Sequence, residues 1–302
     1  MNRNMKLSLR TPSKINLGLH ILGKREDGFH ELETLMQMVD LYDEMELEDS
    51  ASGIELKCDM PGIPVDETNL VMRAASLLQK EFPEKSRGIR FNLSKKIPAG
   101  AGLGGGSGNA AGALMGLNVL WDLKLNRQEL VPFAARLGMD IPFFLTSPAA
   151  VGRGRGEILY SVQPSKKFKV LLILPRVEIA TTWAYRSLNL KLTNRENNIS
   201  ILQKFLSQAD IGRLGAGLFN DLEPVVIERF PVIQTVKDKL RDQNAKGFLM
   251  SGSGSSVFGL FDDPEQAKTA YASFENGDWD RSLTETIATF DEFLPEEILS
   301  YP

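Results

Sequence analysis

The chain has 302 residues and a formal charge of −4, from 35 basic and 39 acidic side chains. A length near twice about 150 residues suits two compact units, and 42% hydrophobic with 25% charged residues excludes disorder as the main state as well as collagen-like or coiled-coil chains. No basic excess points to nucleic acid, no apolar run approaches the ~20 residues of a membrane span, and the single Cys58 cannot form an internal disulfide, so a reducing, cytoplasmic setting is expected.

Residues 5–9 and 15–22 alternate apolar and polar and predict two strands, with a turn over 23–28. Lys6, Arg10 and Lys14 interrupt this stretch, so no apolar signal-peptide core is present. Residues 32–41 and 43–48 predict further strands. A helix is expected over 70–82, capped by Thr68 or Asn69. Residues 89–93 alternate again and lead into a glycine-rich loop. Helices are then expected over 107–123 and over 127–137, the second ended by Gly138. Residues 168–174 predict a short buried strand. The polar stretch 163–167, with Pro164, marks a boundary between units at 1–163 and 164–302. The second half predicts helices over 198–208, 231–243 and 264–274 and a strand–turn–strand over 247–261. This mixture lacks a regular βαβ rhythm and predicts an α+β fold.

The strongest local signal is the loop itself. Six glycines fall within residues 100–108, directly before a helix. Glycine admits positive φ and close backbone approach, so successive amides can point into one concavity. The following helix adds unpaired N–H groups and the positive end of its dipole. A phosphate is the natural guest. The segment Gly100-x-Gly102-x-x-Gly105 formally matches a dinucleotide fingerprint, which would make the chain an oxidoreductase. A second helix follows, however, where that fold returns to a parallel strand, and Asp122, at the spacing of a ribose contact, falls inside the predicted first helix. No Gly-Lys-Ser/Thr ends the loop, so it is not a Walker sequence either.

Phosphoryl transfer requires positioned phosphates, positive charge and a group that handles the acceptor's hydroxyl proton. Asp140, set among apolar residues after a helix, is a general-base candidate, although read alone it suits a turn or cap better. Lys14 interrupts an apolar strand, as an edge lysine also would. His30 beside Phe29 can face a flat base. Residues 251–256 read either as a hairpin turn or as a ligand contact, and residues 152–157 either as a strand bulge or as a phosphate contact.

Together these segments resemble the GHMP small-molecule kinases. The resemblance rests on Pro12-Ser13-Lys14-Ile15-Asn16-Leu17, Arg25-Glu26-Asp27-Gly28-Phe29-His30, Asn69-Leu70-Val71, Lys96-Ile97-Pro98 with the glycine loop, Gly138-Met139-Asp140-Ile141-Pro142-Phe143, Gly154-Arg155-Gly156-Glu157, Asn220-Asp221-Leu222-Glu223 and Ser251-Gly252-Ser253-Gly254. It implies an N-terminal domain resembling ribosomal protein S5 domain 2, a ferredoxin-like C-terminal domain, and an active site between them. The implied activity is ATP-dependent phosphorylation of the 2-hydroxyl of 4-diphosphocytidyl-2-C-methyl-D-erythritol in non-mevalonate isoprenoid synthesis, or of another alcohol by a neighbouring branch. A non-catalytic nucleotide-binding relative is a further alternative, against which the pair Lys14 and Asp140 argues.

On this resemblance Asp140 takes or polarises the hydroxyl proton and Lys14 stabilises developing charge. Lys96, Pro98, Ala99, Gly100, Ala101, Gly102, Leu103, Gly104, Gly105, Gly106, Ser107 and Gly108 form the ATP side, with Asn69 near the adenine. Asn16, Phe29, His30 and Tyr185 belong to the cytidine end. Mg2+ is expected with ATP without an assigned ligand set, Ser107 being the one candidate hydroxyl. The implied partner is a small molecule, not nucleic acid or membrane, and the chain is a monomer or homodimer. Three departures stand out: Phe29 replaces a frequent tyrosine, Gly108 a frequent serine, and Arg153 and Arg155 add charge that can reach a diphosphate.

Overall fold

The computed structural model describes residues 6–188 and 198–301. Its first half runs β1 (Lys6–Lys24), β2 (His30–Asp49), β3 (Ile54–Cys58), α1 (Leu70–Glu81), β4 (Ile89–Ser94), α2 (Gly105–Leu120), α3 (Arg127–Leu137), α4 (Phe143–Thr146), β5 (Ala149–Arg153) and β6 (Ile158–Ser161). The second half runs β7 (Lys169–Pro175), α5 (Thr181–Ser187), α6 (Ile199–Ser207), α7 (Ile211–Ala216), β8 (Phe219–Asn220), α8 (Glu223–Arg229), α9 (Val232–Asp242), β9 (Gly247–Met250), β10 (Val257–Phe261), α10 (Pro264–Ser273), β11 (Trp279–Glu285) and α11 (Glu296–Leu299).

Two sheets organise these elements. The larger has the order β3-β4-β2-β1-β8, with β5 on β2 and β6 on β5. One 20-residue strand serves three neighbours: β2 pairs with β1 along its length, with β4 through Glu44–Asp49 and with β5 through Thr34–Gln37. The smaller sheet is antiparallel with the order β11-β7-β10-β9. Numbered from β7, that order is fourth, first, third, second, the ferredoxin-like arrangement.

The strand β7 shows why the two sheets hold together. Val170, Leu172 and Leu174 join a core with Ile15, Leu17 and Leu35 of the large sheet, while Leu171 and Ile173 face the opposite core with Val236 and Leu240 of α9. A strand covered on both faces reads as an unbroken apolar run. A third core lies under α1, α2 and α3, and residues after β11 return to it: Ile287, Phe290, Phe293, Leu294 and Ile298 are all buried there.

Some expectations need correction. Residues 6–9 and 15–22 fall in one 19-residue strand, and 32–41 and 43–48 in one 20-residue strand; Met5 lies outside the described residues. Pro12 lacks an N–H, but the pairing shifts beside it, which is where a strand tolerates proline. The helix expected from 107 begins at Gly105, because Gly104 turns left-handed (φ 69°) one turn earlier. It stops at Leu120, so Asp122 lies beyond it with φ 50°, not inside it. Gly138 does end α3, in extended rather than left-handed backbone. The oxidoreductase alternative fails on topology. After the glycine loop the chain passes through α2, α3 and α4 to β5, which pairs antiparallel with β2.

Candidate active site

Lys14 and Asn16 sit on β1 between two register shifts, at Pro12/Ser13 and Asn16/Gly18. Such bulges re-aim side chains near functional sites. The Lys14 backbone N–H leaves the sheet and donates to Leu103 O of the glycine loop at 2.9 Å. Its side chain, 5% exposed, brings Nζ within 3.8 Å of Asp140 Oδ2 and donates to Asn16 Oδ1 at 2.5 Å. Burial lowers the Lys14 pKa from the ordinary lysine value, and Asp140 pulls against that. Asp140 lies in the turn between α3 and α4, anchored by buried Ile141, Phe143 and Phe144, while its own carboxylate is 44% exposed. An anchored turn with an open carboxylate suits a group that must meet a ligand.

The glycine loop is held by its carbonyls, which leaves amides for a guest. Ala101 O accepts from Ser256 N at 3.2 Å and Gly102 O from Ser251 Oγ at 3.0 Å. At its entry the Asp43 carboxylate accepts from Lys96 N and Ile97 N at 2.7 and 2.8 Å. The same buried carboxylate pairs with Lys95 and accepts from Asn109. Gly102 is required twice over: its φ is +75°, and a Cβ there would lie 2.1 Å from Ser251 O. Gly104, Gly105, Gly106 and Ser107 then open α2 beside the cleft, where first-turn N–H groups have no helical partner.

The cleft encloses about 630 Å³ and runs from this loop past Lys14 and Asp140 to an aromatic end. There the His30 and Tyr185 rings lie 5.2 Å apart, tilted by 38°. Burial lowers the His30 pKa with help from Lys24, and burial with the Asp140 charge raises that of Tyr185, so both rings are neutral near pH 7. Phe29 is 52% exposed, with the Arg155 guanidinium 5.1 Å from its centroid. Among the lining residues Lys14, Arg155 and Arg186 are cationic and only Asp140 is acidic. A cleft of this balance in a chain of net charge −4 favours an anionic guest. A wider groove of about 920 Å³ lies between Ser8–Arg10, Glu44–Glu46 and residues 291–295; it contains none of the loop, Lys14 or Asp140.

The structure thus gathers Lys14, Asn16, Phe29, His30, Asp140, Tyr185, residues 98–102 and residues 104–107 around one cleft. Leu103 and Gly108 lie beneath it; a Cβ on Gly108 would sit 2.8 Å from Pro12 O, so this residue packs against β1. Asn69 caps α1, accepting from Val71 N and donating to Pro64 O, and its neighbour Leu70 lines the cleft instead. Lys96 pairs with Glu44 on the surface. Arg153 pairs with Glu33 and stacks on Tyr160, whereas Arg155 faces the cleft. Sequence reasoning passed over Thr34, Thr181, Thr182 and Arg186, which also line it. For Thr34 the available signal was a hydroxyl amid the apolar positions of a buried strand.

A ferredoxin-like sheet packed on a larger sheet, with a glycine loop entering a helix beside a lysine and an aspartate, defines a small-molecule kinase. The model of GHMP kinase N-terminal domains matches residues 69–147 and that of the C-terminal domains residues 202–278. A 4-diphosphocytidyl-2-C-methyl-D-erythritol kinase from a Geobacter species is 44% identical over 271 residues, covering 89% of this chain and 95% of its own. A crystal structure of 4-(cytidine 5'-diphospho)-2C-methyl-D-erythritol kinase superposes with a TM-score of 0.81 at 32% identity, covering 93% of this chain and 99% of that one. A homoserine kinase from Cytophaga hutchinsonii, at 22% identity and TM-score 0.74 over 96% and 97% of the two chains, shares the fold. The chain belongs to the GHMP kinases, within them to the 4-diphosphocytidyl-2-C-methyl-D-erythritol kinase family.

Proposed function

We propose that the chain transfers the terminal phosphoryl group of ATP to the 2-hydroxyl of 4-diphosphocytidyl-2-C-methyl-D-erythritol, as a cytoplasmic enzyme of the non-mevalonate isoprenoid pathway. The observation that carries this reading is the approach of Lys14 to Asp140, 3.8 Å apart, at the mouth of the glycine loop, with the aromatic rings at the far end of the same cleft. The loop from Pro98 to Ser107 cradles the phosphates, and Asn69 and Leu70 mark the adenine side. Asp140 accepts the proton of the attacking hydroxyl as its oxygen bonds to the terminal phosphorus and the bond to the bridging oxygen breaks, releasing ADP. Lys14 offsets negative charge that builds on the transferred group. Phe29, His30 and Tyr185 bind the cytosine by stacking and hydrogen bonding, and Arg155 and Arg186 are placed for the diphosphate.

Among the described residues no three His, Cys, Asp or Glu side chains are grouped to hold a metal ion. A Mg2+ ion brought with ATP would be held by phosphate oxygens and water, with the Ser107 hydroxyl in the cleft lining as the candidate protein ligand. When bound, the ion neutralises phosphate charge. The test is a coupled ADP-release assay on purified protein with the diphosphocytidyl substrate, mevalonate and homoserine in parallel. Turnover with the first alone is expected; preference for either other alcohol reassigns the substrate.

A further inference from the structure

We propose that Thr34 is a positioning residue for phosphoryl transfer, acting through the Asn16 amide to fix the ammonium group of Lys14. The inference rests on the kinase reading of Lys14 and adds a residue to it.

Hydrogen-bond direction makes the argument. An ammonium group only donates, so the face that Asn16 turns toward Lys14 Nζ must be its carbonyl oxygen, 2.5 Å away. The amide nitrogen of Asn16 then needs an acceptor in a place where the residue is only 4% exposed. Thr34 Oγ1 provides it at 2.8 Å. That hydroxyl has one proton, and it goes to Gly18 O at 2.7 Å, just past the bulge at Asn16/Gly18. Toward Asn16 the Thr34 oxygen can therefore only accept. Donation runs one way, from Lys14 to Asn16 to Thr34 to Gly18. A flipped amide would set an NH2 group against the ammonium and would have to break the Thr34–Gly18 bond as well. The Asn16 backbone is fixed too, since its N–H donates to Ser251 Oγ at 3.2 Å. Thr34 itself is 3% exposed, so water does not readily replace its oxygen.

Thr34→Val keeps the shape and removes the acceptor. Its turnover should fall roughly ten- to a hundredfold, the cost of a misplaced catalytic group, with the Michaelis constant for ATP nearly unchanged. Thr34→Ser should recover most of the loss, because it restores the oxygen. In a Lys14→Met background, itself strongly impaired, Thr34→Val should cost nothing further, since its effect passes through the ammonium. Thermal unfolding is followed for every variant; if Thr34→Val does not fold, Thr34→Ala removes the same oxygen without adding a methyl group and takes its place. Unchanged turnover in the acceptor-free variant, a serine variant as slow as valine, or additive losses in the double mutant would each overturn the role of Thr34. Undiminished turnover of Lys14→Met alone would overturn the role of Lys14 on which the proposal rests.

Discussion

The two ends of the cleft are built differently. At the phosphoryl end the Lys14 side chain is 5% exposed and tied into the chain of bonds through Asn16, with the glycine loop and the 251–256 turn locked against it. At the aromatic end Phe29 stands 52% exposed at the β1–β2 hairpin tip, and His30 meets Tyr185 of α5 only through ring contact. On the proposed function the phosphoryl end controls one transferred group to fractions of an ångström, so fixed polar bonds suit it, while the aromatic end admits and releases a large ligand, and stacking surfaces tolerate that motion.

The contrast breaks most directly at Asp140. Asp140→Asn should lower turnover by roughly 10²–10⁴-fold, the usual worth of a proton-handling group, while calorimetric titration still shows ATP binding. Near-normal turnover would remove the carboxylate from the mechanism. Gly102→Ala tests the rigid loop: the left-handed backbone and the 2.1 Å approach to Ser251 O leave no room for a methyl group. A strain of about 1–3 kcal/mol should raise the Michaelis constant for ATP tenfold or more. A normal value would show that the loop yields.

His30→Ala probes the other end. The Michaelis constant for the cytidine substrate should rise roughly three- to tenfold, the worth of a ring contact, with that for ATP little changed; equal effects on both would dissolve the division of labour. The smallest effect concerns stability and pH. Folding lowers the Lys14 pKa, so between its folded and ordinary values the unfolded chain binds more protons and stability rises with pH. Removing the group in Lys14→Met should therefore stabilise the protein most near neutrality, and its gain in unfolding temperature should shrink as pH climbs toward about 10.4. A gap that widens instead would mean that Lys14 is buried without strain on its charge.

Helices were legible where apolar spacing was strong, as in α1, α3, α9 and α10. Strand β5 was not, because Ala149, Ala150 and Gly152 carry little β-signal and gain their place only by pairing with β2. The two residues of β8 exist as a strand only beside Gly18 and Leu19. In the site, the glycine loop pointed to phosphate before any fold was known, whereas Lys14 and Asp140 stood out only through the resemblance, since each read alone suits an edge or a turn. Whether a polar side chain caps a helix or faces a cleft was hidden: Asn69 spends its amide on α1, and Lys96 on a surface pair. Thr34 was hidden more deeply, since its part depends on where a single hydroxyl proton goes.

The return of residues 287–298 to the first core has a consequence for biosynthesis. These residues leave the ribosome after both sheets have been translated, yet Phe290, Phe293 and Ile298 complete the packing around α2, the helix that begins at the phosphate loop. The early half of a nascent chain therefore waits with an apolar flank uncovered, and the packing around the helix that follows the glycine loop is completed only when residues 287–298 dock. Fragments ending before Ile287 should be sticky substrates for chaperones rather than small working domains.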